Sequence, residues 1–230
     1  MSIVDKIKEH RNNVPKELEG IDELDSTTKD YMLYKFLKDN LNDYPYLLEE
    51  LPVYFMEEIL INEINSYNFE RYFTDNVIKK LNEGTGKLRR ILLNHIEYAN
   101  LIPKLTTEKN YMPSSIYFNN EEKWVSISKY LALFQSRYGK KELISFLNSF
   151  NDRNSCENLF KEMEDSDFFY NALFDDDDII ELVKGNFGKN LNNDSFSKLI
   201  SKMSSLDNPN KYMNLLLDNN IYDRCKKDIS

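Results

Sequence analysis

Phe160–Leu182 reads FKEMEDSDFFYNALFDDDDIIEL, and its apolar spacing settles the class of fold. Leu159, Phe160, Met163, Tyr170 and Leu173 fall on one side of a first helix. Ile179, Ile180, Val183 and Phe187 fall on one side of a second. The stretch also carries Glu162, Glu164, Asp165, Asp167, Asp175, Asp176, Asp177, Asp178 and Glu181 against Lys161 alone, a net of −8 where the whole chain nets −9. The acidity is therefore local. A concentrated negative field is an argument about partners rather than about fold.

The helical period continues on both sides. Toward the C-terminus, Phe196, Leu199, Ile200 and Met203 form one stripe, and Tyr212, Leu215, Leu216 and Ile221 another. Upstream, Leu143, Ile144, Leu147 and Phe150 make a stripe. Trp124, Ile127, Leu131 and Phe134 make the one before it, closed by Gly139. Ser114–Asn119 has the look of a short strand without an obvious partner. Pro103 and Pro113 bracket the least regular part of the chain. They set a boundary between residues 1–106 and 107–230 unless the two parts form one continuous domain.

In the N-terminal part, Ser2 caps a helix carrying Ile3, Val4 and Ile7, and Val14–Ser26 reads as loop. Thr27 or Thr28 caps a helix with Tyr31, Tyr34, Leu37 and Leu41. A short piece with Leu47, Leu48 and Leu51 then precedes Pro52. Pro52 opens a helix to about Asn65 whose inner stripe is Phe55, Ile59 and Asn62, flanked by Met56 and Leu60. Ser66 caps the next, with Phe69, Tyr72, Phe73, Val77 and Leu81. Gly84-Thr85-Gly86 breaks it, and Leu88, Ile91, Leu92, His95, Ile96 and Ala99 line another. The expected fold is all-α, about ten helices with short loops.

Composition agrees. Six glycines and six prolines are few for 230 residues, and fifteen tyrosines with fourteen phenylalanines supply a core. Cys156 and Cys225 give neither a disulfide framework nor a thiolate metal site. The charged start MSIVDKIKEHRNN has no apolar core for a signal peptide, and no apolar run approaches membrane-spanning length. A soluble cytoplasmic protein is expected.

The catalytic motifs are missing. Gly84-Thr85-Gly86-Lys87 lacks the GxxxxGK frame and the strand that would aim its N–H groups at phosphate. His95-Ile96-Glu97 matches half of a zinc deaminase motif without the PCxxC half, so a hydrogen-bonded core histidine is the better reading. Two histidines without HExxH leave zinc without ligands, and Cys156 has no neighbouring base. No enzyme, cofactor or metal is expected.

The acidic stretch has an ordinary explanation too. Asp175 or Asp176 is placed to cap the second helix, with the next aspartates near its positive end, worth about 1 kcal/mol each at best. Density is what this leaves over. Glu162–Asp165, Glu164–Asp167, Asp177–Glu181 and Asp178–Glu181 are like charges at helical spacing, roughly 5–6 Å apart, which repel. Successive phosphates of a nucleic-acid strand have a similar separation. Gathered on one exposed wall with few cations nearby, these nine carboxylates would suit the DNA-binding surface of a basic protein, and binding would weaken with salt.

Glu63–Phe73, EINSYNFERYF, resembles the signature of the DNA-mimic domain family of the DMP-nineteen type, Glu-Val-Asn-Asn-Gly-Gly-Phe-x-Gln-Tyr-Phe. Glu63, Asn65, Phe69, Tyr72 and Phe73 match, and Tyr67-Asn68 stands where the family has two glycines. Phe168-Phe169-Tyr170 resembles the family's later acidic Phe-Tyr segment. The likeness covers Leu33–Ala99 and Leu159–Phe196, with Pro113–Asn154 as an insertion. It implies a helical, acidic, non-enzymatic protein whose relatives imitate DNA toward a regulator or serve as immunity proteins. The expectation is a protein that blocks a basic DNA-binding partner. The alternative is an immunity or antitoxin-type module that neutralises a cognate toxin by shape and aromatic contacts, with little response to salt. Neither direct nucleic-acid binding nor a membrane is expected, and a homodimer is left open.

Overall fold

The computed structural model describes residues 2–106, 112–113, 115–118, 123–172, 174–203, 209–218, 221 and 223–224. These fold predominantly as helix, with one two-stranded antiparallel hairpin, so the all-α class is as expected. They divide into two compact units, Met1–Ile91 and Leu92–Ser230. The division falls fifteen residues before the 106/107 boundary of the sequence reading.

In the first unit, α1 (Ile3–His10) starts from Ser2, whose Oγ accepts the Asp5 N–H. A second group reaches the same helix start. The Asp22 carboxylate accepts the N–H of Ile3 at 3.0 Å and of Val4 at 2.9 Å, and receives Lys29 Nζ at 2.8 Å. Asp22 belongs to the stretch expected to loop. That stretch instead makes two 3-10 turns (Lys16–Leu18 and Ile21–Glu23) that bury Leu18 and Ile21. Burial pushes the Asp22 carboxyl up, but Lys29 and the two N–H groups outweigh it and hold it at about 2 instead of 3.8. A depressed carboxyl contributes stability that is whole above its unfolded value and is lost as pH falls toward its folded one. Asp22→Asn should therefore cost about 1 kcal/mol of stability at neutral pH after solvent screening, read as a lower melting temperature. Melting curves of the two proteins should converge as pH falls from about 4 to about 2.

Helix α2 (Ser26–Asn40) is capped by Asp25, which accepts both the N–H and the hydroxyl of Thr28. Thr28 is thus the donor and not the cap. Leu33, Tyr34, Phe36 and Leu37 turn inward, while Tyr31 stays 52% exposed. A 3-10 segment, Pro45–Glu50, buries Leu47 and Leu48 ahead of α3 (Val53–Asn62). The inner face of α3 is Met56, Glu57, Ile59 and Leu60. It is rotated from the expected stripe, so that Phe55 is half-buried and Asn62 exposed.

The helix expected from Ser66 to Leu81 is broken. Ser66 caps nothing, and its buried hydroxyl has no hydrogen-bond partner among the described residues. Asn68 takes a left-handed conformation (φ 59°), a 3-10 turn Phe69–Tyr72 buries Phe69 and Tyr72, and Thr74 caps α4 (Asp75–Leu81) through the Val77 N–H. Helix α5 (Lys87–Leu92) also ends early. His95 and Ala99, expected on it, lie before and within a 3-10 segment, Ile96–Lys104, that belongs to the second unit.

In the second unit, β1 (Ser115–Phe118) pairs with β2 (Lys123–Ser126). This supplies the missing strand partner and removes Trp124 from the helical stripe. Ile116 faces Val125 on the buried side, and Tyr117 faces Trp124 on the outer side. Ser126 caps α6 (Ile127–Tyr138), and Gly139, at φ 89°, separates it from α7 (Lys140–Asn148). Tyr130, Phe134, Phe146 and Phe150 form the aromatic centre, with Phe134 and Phe146 centroids 4.7 Å apart. Around it run α8 (Arg153–Asp165), α9 (Phe168–Asn171), α10 (Asp176–Lys184), α11 (Asn186–Asn190), α12 (Asn193–Ser201) and α13 (Pro209–Leu216). Glu157 of α8 pins the start of α12 by accepting from the Asn192 N–H, Asn192 Nδ2 and Ser195 Oγ. Leu173, and the side chains of Tyr170 and Tyr212, lie outside the described residues.

Candidate functional site

The acidic residues end α8, span the turn to α9 and open α10. Asp175 is the N-cap of α10: its carboxylate accepts the Asp178 N–H at 3.0 Å, and Asp178 accepts the Asp175 N–H at 2.8 Å. This capping box gives two of the four consecutive aspartates a structural task. The Asp178 N–H and then Lys140 hold the Asp175 carboxyl below the usual range.

Lysines from elsewhere in the unit reach into the cluster. Lys140, at the start of α7, lies 3.0 Å from Asp175 and 2.5 Å from Asp178. Lys202, just past α12, lies 3.1 Å from Glu164, and Lys211 of α13 lies 2.5 Å from Asp177. Four of the nine carboxylates are thus paired, by three lysines, with Lys140 shared between Asp175 and Asp178. Glu162, Asp165, Asp167 and Glu181 form no ion pair among the described residues. Asp165, Asp167 and Glu181 are exposed, and Asp167 sits at φ 52° where the chain leaves α8. The uninterrupted row of negative charge read from the sequence is broken up by ammonium groups.

The other candidates resolve as packing. Glu57, 4% exposed, accepts the Thr85 hydroxyl at 3.0 Å and the Leu88 N–H at 3.3 Å. The Thr85 hydroxyl and the N–H of Leu88, just after the Gly84–Lys87 turn, therefore meet a carboxylate of the chain itself. His95 is 4% exposed with Nδ1 3.3 Å from Glu97, in the core as the sequence suggested although off any α-helix. Burial pushes the Cys156 thiol up to about 12, with Asp152 and Glu157 adding to the effect, which leaves it a poor nucleophile. Among the described residues no group of three or more His, Cys, Asp or Glu could hold a metal ion, and no helix is long and apolar enough to cross a membrane.

One feature of the first unit was not singled out from sequence. Tyr31 and Tyr34 of α2 and Phe55 and Tyr54 of α3 form a continuous row, with centroid separations of 6.4, 4.5 and 5.5 Å in that order. Tyr31 is 52% and Tyr54 65% exposed. The row is held in place, because the Tyr34 hydroxyl donates to Glu58 and its ring stacks on Phe55. The available signal was the expectation that Tyr31 shares the buried stripe, three residues ahead of Tyr34, where burial serves only the second.

Comparison with protein-family models, with curated proteins and with solved structures finds no match to this chain.

Proposed function

We propose that the protein acts without catalysis, by binding one cognate protein through the aromatic row of its first unit, as an immunity or antitoxin-type module would. The observation that carries this reading is the pair of exposed tyrosines at the ends of a pinned four-ring row. Tyrosine is enriched at protein interfaces and among the residues that dominate binding. A side chain already fixed by its neighbours loses little freedom on docking.

The second reading is imitation of DNA toward a basic partner. It is favoured by Asn68, which is left-handed where the DNA-mimic family carries its second glycine; asparagine tolerates that conformation better than most residues. Glu162, Asp165, Asp167 and Glu181 would supply its charge. The lysines at Asp175, Asp177, Asp178 and Glu164 weigh against it.

Affinity capture from the native cell, with stepwise salt elution, separates the two. On the first reading, Tyr31→Ala with Tyr54→Ala lowers affinity for the captured protein about 30-fold or more, and wild-type complexes persist at high salt. A partner that the tyrosine variant retains and that modest salt releases would reject the first reading in favour of the second.

A further inference from the structure

The second unit carries an open cavity of about 880 Å³ whose described wall is cationic in an acidic protein. Arg153 at the start of α8, Lys184 at the end of α10, Lys189 of α11 and Arg224 line it, against one carboxylate among the described residues, Asp218. Among the described residues, Arg153, Lys184 and Lys189 meet no carboxylate at ion-pair distance. Arg224 is a fixed charge: its guanidinium lies 3.6 Å from the Phe196 ring centroid and donates to the Gly188 and Leu191 carbonyls. Val183 and Leu191 lie behind the same wall, 2% and 4% exposed, so the apolar surface it offers is that of the long lysine and arginine stems. Like charges converging on one cavity repel unless an anion joins them, and the field they sum to draws one in.

We infer that this cavity binds an organic phosphate of nucleotide size. The volume lies in the range of small-molecule sites, which combine apolar lining with a few placed polar groups. Phosphate oxygens meet the head groups of Arg153, Lys184 and Lys189, and the organic part lies along the methylene stems of the same side chains. An inorganic anion alone would leave most of the space unfilled. The site is independent of the aromatic row and stands or falls separately from it.

Isothermal titration of the full chain with ADP tests this, with adenosine and inorganic pyrophosphate as the two partial ligands. The expected result is saturable ADP binding, with adenosine and pyrophosphate each at least about tenfold weaker. Lys184→Ala with Lys189→Ala should weaken ADP about tenfold or more, since each removes a charge-assisted hydrogen bond. Both lysines are exposed, so the helical circular dichroism of the variant should match wild type. Absence of saturable ADP binding, adenosine binding as tight as ADP, or an unchanged affinity in a folded double variant would each overturn the assignment. Pyrophosphate as tight as ADP would overturn its organic half.

Discussion

Gly188→Ala should destabilise the second unit by about 3 kcal/mol, the upper end of what overpacking costs. A Cβ at this position would stand 2.5 Å from the Val183 carbonyl oxygen, 2.7 Å from that of Leu182 and 2.7 Å from the Val183 Cα. All three are backbone atoms at the end of α10, so no side chain can rotate away to make room. Helix α11 would have to lift from α10, disturbing Phe187, which is fully buried beside it. The control is Gly20→Ala. There the added methyl meets nothing within 4 Å, and only the positive φ of 74° is strained, at about 1 kcal/mol. Urea titration followed by far-ultraviolet circular dichroism gives both values. Equal midpoints for the two variants would show that α10 and α11 are less closely apposed than described.

Glu57→Ala should cost the first unit a similar amount, about 3 kcal/mol. The carboxylate is buried and serves two donors, the Thr85 hydroxyl and the Leu88 N–H at the start of α5. Alanine leaves both without that acceptor and opens a space beneath the Gly84–Lys87 turn. A buried charge carries its own desolvation cost, so an apolar residue that filled the space would recover part of the loss. Alanine does not fill it. Glu57→Gln retains an acceptor oxygen and should cost about 1 kcal/mol, the difference between a charged and a neutral bond. If the alanine variant unfolds within about 0.5 kcal/mol of wild type, the carboxylate is not what fixes this turn.

Local pattern and long-range partnership divide what the sequence discloses. The stripes Leu143–Phe150 and Phe196–Met203, the Ser2 cap, the stop at Gly139 and the Asp175 cap all rest on neighbours within a turn or two, and all were legible. Trp124 was misplaced because 124, 127, 131 and 134 fit a helical period by coincidence. The Ser126 cap starts the helix only after it, and the pairing with β1 claims it for a strand. The break between Phe69 and Leu81 was hidden for a related reason. Phe69, Tyr72 and Val77 are buried as the period requires, but a 3-10 turn and a second cap at Thr74 carry them.

The acidic cluster shows the same limit in charge. Lys140 precedes Asp175 by thirty-five positions and Lys211 follows Asp177 by thirty-four, so a count taken inside Phe160–Leu182 sees neither. The cationic cavity draws on residues from Arg153 to Arg224. Its only local trace is the pair of lysines flanking Gly185–Gly188.

Trp124 is the chain's single tryptophan, and it projects from the hairpin, 69% exposed, with the Tyr117 ring 5.4 Å away as its neighbour. Its emission in the native protein should already be that of an indole in water and open to quenching by iodide. Loss of the helical core would shift that emission little. A fluorescence melt would then report the hairpin while the rest of the molecule comes apart unseen, and tyrosine absorbance is the signal that follows the core.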